Sequence, residues 1–151
     1  MKPLHTDRGL SLLGALLDAV YWVDESLQES LLERGFNRIP RTWSMVMINI
    51  ANGVQRPIRI ADNIGVSRQA MQKTLRDMSD SGLIDITPDP SDRRATIVSF
   101  SARGRPIQQA ATDILGLVEQ ALEDRLGARR LEQLHDALER DWGPLVVTKQ
   151  D

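Results

Sequence analysis

Residues Ile60-Ala61-Asp62-Asn63-Ile64-Gly65-Val66-Ser67-Arg68-Gln69-Ala70-Met71 decide how this chain is read. Two short helical patterns meet here at a tight turn. Ala61 is small where two helices would cross closely, Gly65 supplies the turn, and Val66 is expected to bury itself between them. Ser67 is an N-cap that leaves the first N–H groups of the second helix for capping or for a phosphate. Met71, Leu75 and Met78 recur at steps of four and three and form the inward face. Gln69, Ala70, Gln72, Lys73 and Arg76 are left facing outward. The grammar is that of a helix-turn-helix.

That outward face has the chemistry of base reading. A recognition helix meets base edges with its N-terminal residues, which makes Gln69, Ala70, Gln72 and Lys73 candidate base contacts. Gln pairs bidentately with adenine, Lys donates to guanine, and the Ala methyl touches thymine. Ser67, Arg68 and Arg76 suit phosphates, which position a protein without reading sequence. A plain amphipathic helix pair with a solvated basic face has a similar pattern, so the flanks matter.

Downstream the period changes. Leu83 to Thr87 reads as a strand, Pro88-Asp89-Pro90-Ser91-Asp92 as turn chemistry, and the β-branched stretch Ala95 to Phe100 as the returning strand. Ser101 is expected to cap a helix carrying Ile107, Ala111, Ile114, Val118, Ala121 and Leu122, which Gly127 interrupts. A last helix presents Leu131, Leu134, Leu138 and Trp142, before Gly143-Pro144 ends it.

Upstream, Pro57 opens the first helix of the pair. Pro40 precedes another, with Trp43, Val46, Met47 and Ile50 at helical spacing up to Asn52-Gly53. Residues from about Arg8 to Arg34 predict one long helix. Leu10, Leu13, Leu17, Val20, Asp24, Leu27 and Leu31 form one seam, while Leu12, Leu16, Ala19 and Val23 lie on another face. A helix apolar on two sides must be covered twice, by its own domain and by another chain. The expected fold is mainly α with a small β-hairpin wing. A winged helix-turn-helix over residues 40–104 is flanked by dimerisation helices over 1–39 and 105–151.

With both motifs in place, the chain resembles the MarR family of transcriptional regulators, most strongly from Ile60 to Gly104. The family's wing pattern is Asp-x-Arg, a strand, then Leu-Thr-x-x-Gly. It appears here as Asp92-Arg93-Arg94, the strand to Phe100, and Ser101-Ala102-Arg103-Gly104. Phe100 stands for the Leu and Ser101 for the Thr, and Asp89-Pro90-Ser91-Asp92 looks like the family's turn. Gln55-Arg56-Pro57 departs from the pattern, having no Ser or Thr cap. Strand alternation puts Asp92 and Arg94 on one side, where they can pair in a wing salt bridge. An arginine held at a hairpin tip suits the negative potential of a narrow minor groove.

The resemblance implies that role for Arg94, with Arg93 as a neighbouring minor-groove or phosphate contact. It also implies a homodimer through the terminal helices, here by Leu10, Leu13, Leu17, Leu131, Leu134, Leu138 and Trp142. The partner would be double-stranded DNA with a pseudopalindromic operator, its half-sites ~34 Å apart. Many family members bind a small-molecule effector near the dimer helices. Tyr21, Trp22, Asp24, Trp43 and Met47 are the candidates here, although such a cluster is also what ordinary core looks like. Asp24 is the unusual member, because it interrupts an apolar stripe.

Composition sets outer bounds. The chain has 151 residues, 41% hydrophobic and 26% charged, which fits one ordinary globular domain. It has no cysteine, which excludes disulfides, thiol sensing and cysteine-based metal centres. The net charge of −2 is an average. Residues 53–105 hold 9 basic and 6 acidic side chains, net +3, whereas residues 106–151 hold 5 and 9, net −4. Charge on the proposed reading face, not the sum, is the relevant footprint. The apolar run Leu10 to Val23 is broken by Asp18 and too short to cross a bilayer, and no signal peptide follows its pattern. A cytoplasmic protein without a membrane partner is expected. His5 and His135 stand apart, so no metal or other cofactor is expected. No carboxylate pair, nucleophile elbow or phosphate-binding glycine loop supports an enzyme.

Taken with the family, the expectation is a homodimeric repressor released by an effector. Two alternatives stay open: a winged-helix protein-interaction module without DNA binding, and a constitutive DNA-binding regulator with no ligand. The solvent-facing cations Arg68, Lys73, Arg93 and Arg94 favour DNA, since a scaffold does not need them.

Overall fold

The computed structural model describes residues 11–148, and among them the helical and strand periods become six helices and one hairpin. In chain order these are α1 (Ser11–Glu33), α2 (Arg41–Ala51), α3 (Pro57–Ile64), α4 (Arg68–Asp80), β1 (Ile84–Asp89), β2 (Asp92–Phe100), α5 (Arg105–Leu126) and α6 (Ala128–Glu139). Leu10 and His5 lie outside the described residues. The chain divides into two compact units, the first running to Leu115 and the second beginning at Gly116, so the division falls inside α5.

In the first unit the core is built where the sequence periods point inward. Leu27 and Leu31 of α1, Val46, Met47 and Ile50 of α2, and Met71, Leu75 and Met78 of α4 are all buried. The α1 seam is therefore only half used, because Leu13, Leu17 and Val20 at its other end are exposed. One buried polar group ties α1 to α2. Gln28, 2% exposed, donates from Nε2 to Ser44 Oγ and accepts the Ile39 backbone N–H at Oε1, 2.8 Å away. Among the described residues no buried side-chain nitrogen or oxygen lacks a partner, as native packing requires.

The turn between α3 and α4 follows its chemistry. Gly65 has φ 76°, a left-handed conformation open to glycine, and its N–H donates to Ala61 O. Ala61 is buried at the crossing, but Val66 is only half-buried rather than enclosed between the helices. Its backbone N–H shares Ala61 O with Gly65, and this bond sets the corner without a deep side-chain anchor. Ser67 caps α4 as expected, its Oγ accepting the Ala70 N–H at 3.1 Å.

The hairpin is longer than the sequence predicts. Its strands run antiparallel in the register Ile84↔Phe100 to Pro88↔Thr96, then slip to Asp89↔Asp92. The turn shrinks to Pro90-Ser91 because Pro88 lies at a sheet edge, where a missing N–H costs no ladder bond. The slip leaves Arg93, Arg94 and Ala95 without opposite residues, so they form a bulge on β2. The other flank of β2 is not bare either, since Val98 N–H donates to Gln55 O just before α3.

α5 runs from Arg105, and Ser101 caps its approach as expected, its carbonyl also accepting the Arg105 N–H. Ser101 is committed to the foot of the hairpin: its N–H donates to Leu83 O, its hydroxyl donates to Gly82 O, and its Oγ accepts the Gly104 N–H. Gly104 is packed so closely that an added Cβ would lie 1.9 Å from Leu83 O. That contact explains the glycine of the Ser-x-x-Gly sequence.

In the second unit, Gly127 (φ 86°) separates α5 from α6. Leu131 is buried while Leu134 and Leu138 are exposed. Trp142 is not on the helix, as the periodicity suggested. The backbone turns extended at Arg140, and the Trp142 indole N–H folds back to Ala137 O at 3.1 Å, filling a carbonyl left over at the helix end.

Two glycines on α5 and before it should respond oppositely to alanine. Gly104→Ala is expected to destabilise the protein by about 2–3 kcal/mol through overpacking against Leu83. Gly116→Ala meets nothing within 4 Å inside a helix and should stabilise by about 0.5–1 kcal/mol. Denaturant melts of the two variants check the contrast, and equal effects would refute the packing account.

Candidate nucleic-acid interface

The outward face of α4 is as open as its sequence pattern requires. Arg68, Gln69, Ala70, Gln72, Lys73 and Arg76 are all exposed, as is Ser67 at the cap. Ser67 Oγ is already occupied by the Ala70 N–H. Lys73 is not idle: its ammonium sits 2.7 Å from Asp77 Oδ2, one turn further on. A base or phosphate contact by Lys73 must therefore compete with an intrahelical carboxylate.

The hairpin comes to this same face. Arg68, Met71 and Gln72 of α4, Arg56 to Ile58 at the start of α3, and Asp92 and Arg94 to Thr96 of β2 border one open cleft of about 370 Å³. Arg93 is exposed beside it on the same bulge. The structure thus brings Arg68, Gln72 and Arg94 to one cleft, with Gln69, Ala70, Lys73 and Arg76 on the helix face that flanks it.

The expected Asp92–Arg94 salt bridge is replaced by a different arrangement. Asp92 Oδ1 accepts the backbone N–H of Arg94 at 3.0 Å, and no ion pair among the described residues joins the two side chains. Strict alternation does not apply here because Arg94 lies within the bulge and Asp92 at its edge, and a short aspartate closes on the backbone two residues ahead. The guanidinium of Arg94 stays available.

The carboxylate that holds the hairpin tip is Asp89, a residue read from sequence only as turn chemistry. It is 6% exposed. Its Oδ1 accepts both the N–H and the hydroxyl of Ser91, and its Oδ2 receives Arg56 Nε at 2.9 Å and Nη2 at 2.6 Å. The Ser91 hydroxyl, the Ser91 backbone N–H and the Arg56 guanidinium hold its carboxyl below the usual aspartate range, against the opposing effect of burial. The signal for Arg56 was present in the sequence, where an arginine occupies the position at which a Ser or Thr cap is usual. Its partner, 33 residues away, had no sequence signal.

The effector candidates take up several local contacts. Arg41 lies over the Tyr21 ring, 4.5 Å from its centroid, and pairs with Asp24 at 2.8 Å. The odd acid in the α1 stripe thus has a structural partner. Trp22 and Trp43 are half-buried. Met47 borders an apolar space of about 60 Å³ with Leu27, Leu31, Ile39, Phe100 and Leu115 among its walls. Among the described residues no group of three or more His, Cys, Asp or Glu is arranged to hold a metal, and no helix is long and apolar enough to cross a membrane.

Comparison with known proteins agrees with this geometry. Residues 39–95 match the model of the MarR family. An uncharacterized protein of Mycobacterium tuberculosis is 26% identical over 98 residues, covering 65% of this chain and 68% of its own length. The fold is similar to the transcriptional regulator PA4135 (TM-score 0.69, 20% identity, 85% of this chain and 93% of that one). It is similar also to the transcriptional repressor CouR bound to a 23-mer DNA duplex (TM-score 0.68, 23% identity, 86% and 91%). A third likeness is to a mutant of MarR from E. coli complexed with operator DNA (TM-score 0.65, 21% identity, 89% and 97%). At these identities the likeness is one of fold, and the sequence match lies in the helix-turn-helix and hairpin. Over that segment the chain is similar to the MarR family, and its fold is that of a winged helix-turn-helix.

Proposed function

We propose that this chain is a sequence-specific transcriptional regulator that binds double-stranded DNA as a homodimer. The recognition helix α4 enters the major groove and the hairpin arginines reach the flanking minor groove. One observation carries the reading: Arg68 and Gln72 of α4 share a single open cleft with Arg94 of the hairpin, and Gln69, Lys73 and Arg76 are exposed beside it. Gln69, Ala70, Gln72 and Lys73 are the base-reading set. Ser67, Arg68, Arg76 and Arg93 are the phosphate set, with Arg94 in the minor groove. Two of the similar structures hold DNA, which supports the same partner here.

The second copy is argued from apolar surface. In the first unit Leu13 and Leu17 of α1 are exposed, Leu13 to 66%. In the second, Leu134, Leu138 and Trp142 are exposed as well, Trp142 to 60%. Apolar surface of this kind at helical spacing marks an association face. Residues 1–39 and 105–151 act in this reading as dimerisation segments around the reading head at 40–104. Occupying a pseudopalindromic operator then blocks transcription, and an effector would release the repressor by favouring a dimer with the wrong helix spacing.

A constitutive regulator with no ligand is the second reading, and one observation favours it. The cavity behind Met47 is about 60 Å³, well below the ~300 Å³ at which ligand pockets begin. Asp24 is already neutralised by Arg41.

Three outcomes are expected. Affinity for a duplex from the protein's own upstream region should fall steeply with salt, and Arg94→Ala with Lys73→Ala should remove most of it and flatten the slope by about 1–2. No binding at low salt, as measured by fluorescence anisotropy, would overturn the reading and favour an interaction module. Asp77→Asn frees Lys73 from its intrahelical partner and should raise affinity ~2–5-fold, the value of a surface ion pair. The solution mass at micromolar concentration should be twice the 16.9 kDa of one chain, falling to that of one chain in Leu134→Glu/Leu138→Glu. A wild-type monomer would refute the dimer.

A further inference from the structure

Arg56 precedes α3 where a helix is ordinarily capped, yet its side chain makes no capping bond. It crosses instead to the hairpin tip, where Nε and Nη2 engage Asp89 Oδ2 and Nη2 donates to Ser91 Oγ at 3.3 Å. The residue before it adds a backbone tie, Val98 N–H to Gln55 O at 2.9 Å. Residues 55 and 56 therefore hold the hairpin at two points, midway along β2 and near its tip. Asp89 occupies the step at which the register slips, and the slack of that slip is Arg93, Arg94 and Ala95. The guanidinium of Arg56 thus grips the residue that makes the bulge, and the bulge carries Arg94.

We infer that Arg56 is a positioning residue for nucleic-acid recognition: its ion pair with Asp89 fixes the angle of the hairpin against α4, so that Arg94 and the N-terminal face of α4 engage one duplex together. This rests on the DNA-binding reading above. A hairpin held in its bound orientation avoids the entropy of ordering it on the duplex, and a free one does not. Asp89 spends its charge inside the hairpin and so does not repel a phosphate at full strength.

Arg56 also borders the cleft, so direct phosphate contact is the competing role, and two comparisons separate them. The probe is a duplex selected by the wild-type protein from a random-sequence pool. Arg56→Ala should weaken binding about tenfold in the wild-type background but less than about twofold when Arg94→Ala is already present, because coupled residues are not additive. Direct contact predicts the same loss in both backgrounds. Asp89→Asn keeps every cation and removes an acid, so direct contact predicts tighter binding, whereas positioning predicts a loss like that of Arg56→Ala. Arg56→Lys should recover part of the affinity and guards against a folding defect, with helix content and melting temperature measured for each variant. Additive losses or tighter binding by Asp89→Asn would overturn the positioning role and leave DNA binding standing. Failure of the wild-type protein to select any duplex would overturn the DNA reading and this inference with it.

Discussion

The hairpin and α4 are joined at one backbone group, the carbonyl of Leu83. It accepts the N–H of Ser101, while the Leu83 N–H closes the end of α4 on Met78 O. Gly104 presses against the same carbonyl, with no room for a Cβ, and Ser101 binds Gly82 O and the Gly104 N–H. The end of α4, the entry of β1, the exit of β2 and the approach to α5 are thereby held within a few residues of one another. A short hairpin is marginal by itself. Here it is rooted at Leu83 and tied at Asp89 to Arg56, beside α4.

The charge pattern has the same logic. The enclosed acids of the first unit are matched internally, Asp24 by Arg41 and Asp89 by Arg56, and on the surface Glu25 and Glu29 are matched by Arg38. The Arg38 guanidinium holds the Glu25 carboxyl below its usual range. On the open face, Arg68, Arg76, Arg93 and Arg94 form no ion pair among the described residues, and Lys73 has only the neighbouring Asp77. The net charge of −2 therefore says little about the surface that matters. Internal pairing removes cations and anions together, and what remains on the cleft side is positive.

Reading the sequence succeeded where the deciding forces are local. Gly65 was legible because a left-handed turn residue favours glycine, Ser67 because a cap bond spans three residues, and Met71, Leu75 and Met78 because an α-helix repeats every 3.6 residues. It failed where a residue chose between a near and a distant partner. Asp92 was assigned Arg94 by alternation, but a register slip put the aspartate on the backbone and gave the ion pair to Asp89 and Arg56. Ser101 was legible as a cap, but its bonds across the foot of the hairpin to Gly82 and Leu83 were not. Trp142 fitted the period of α6 and lies beyond its end.

The sequence by itself therefore determined the order of elements, the turn of the helix pair and which face of α4 is left to solvent. All three follow from interactions within one or two helical turns, which composition and spacing encode directly. The tertiary structure alone decided the angle of the hairpin, the bulge that carries Arg94, and the pairing of Asp24 with Arg41 and of Asp89 with Arg56. Those depend on residues far apart in the chain. A charged side chain with several partners of opposite sign in the sequence has its choice made by packing, which spacing does not record.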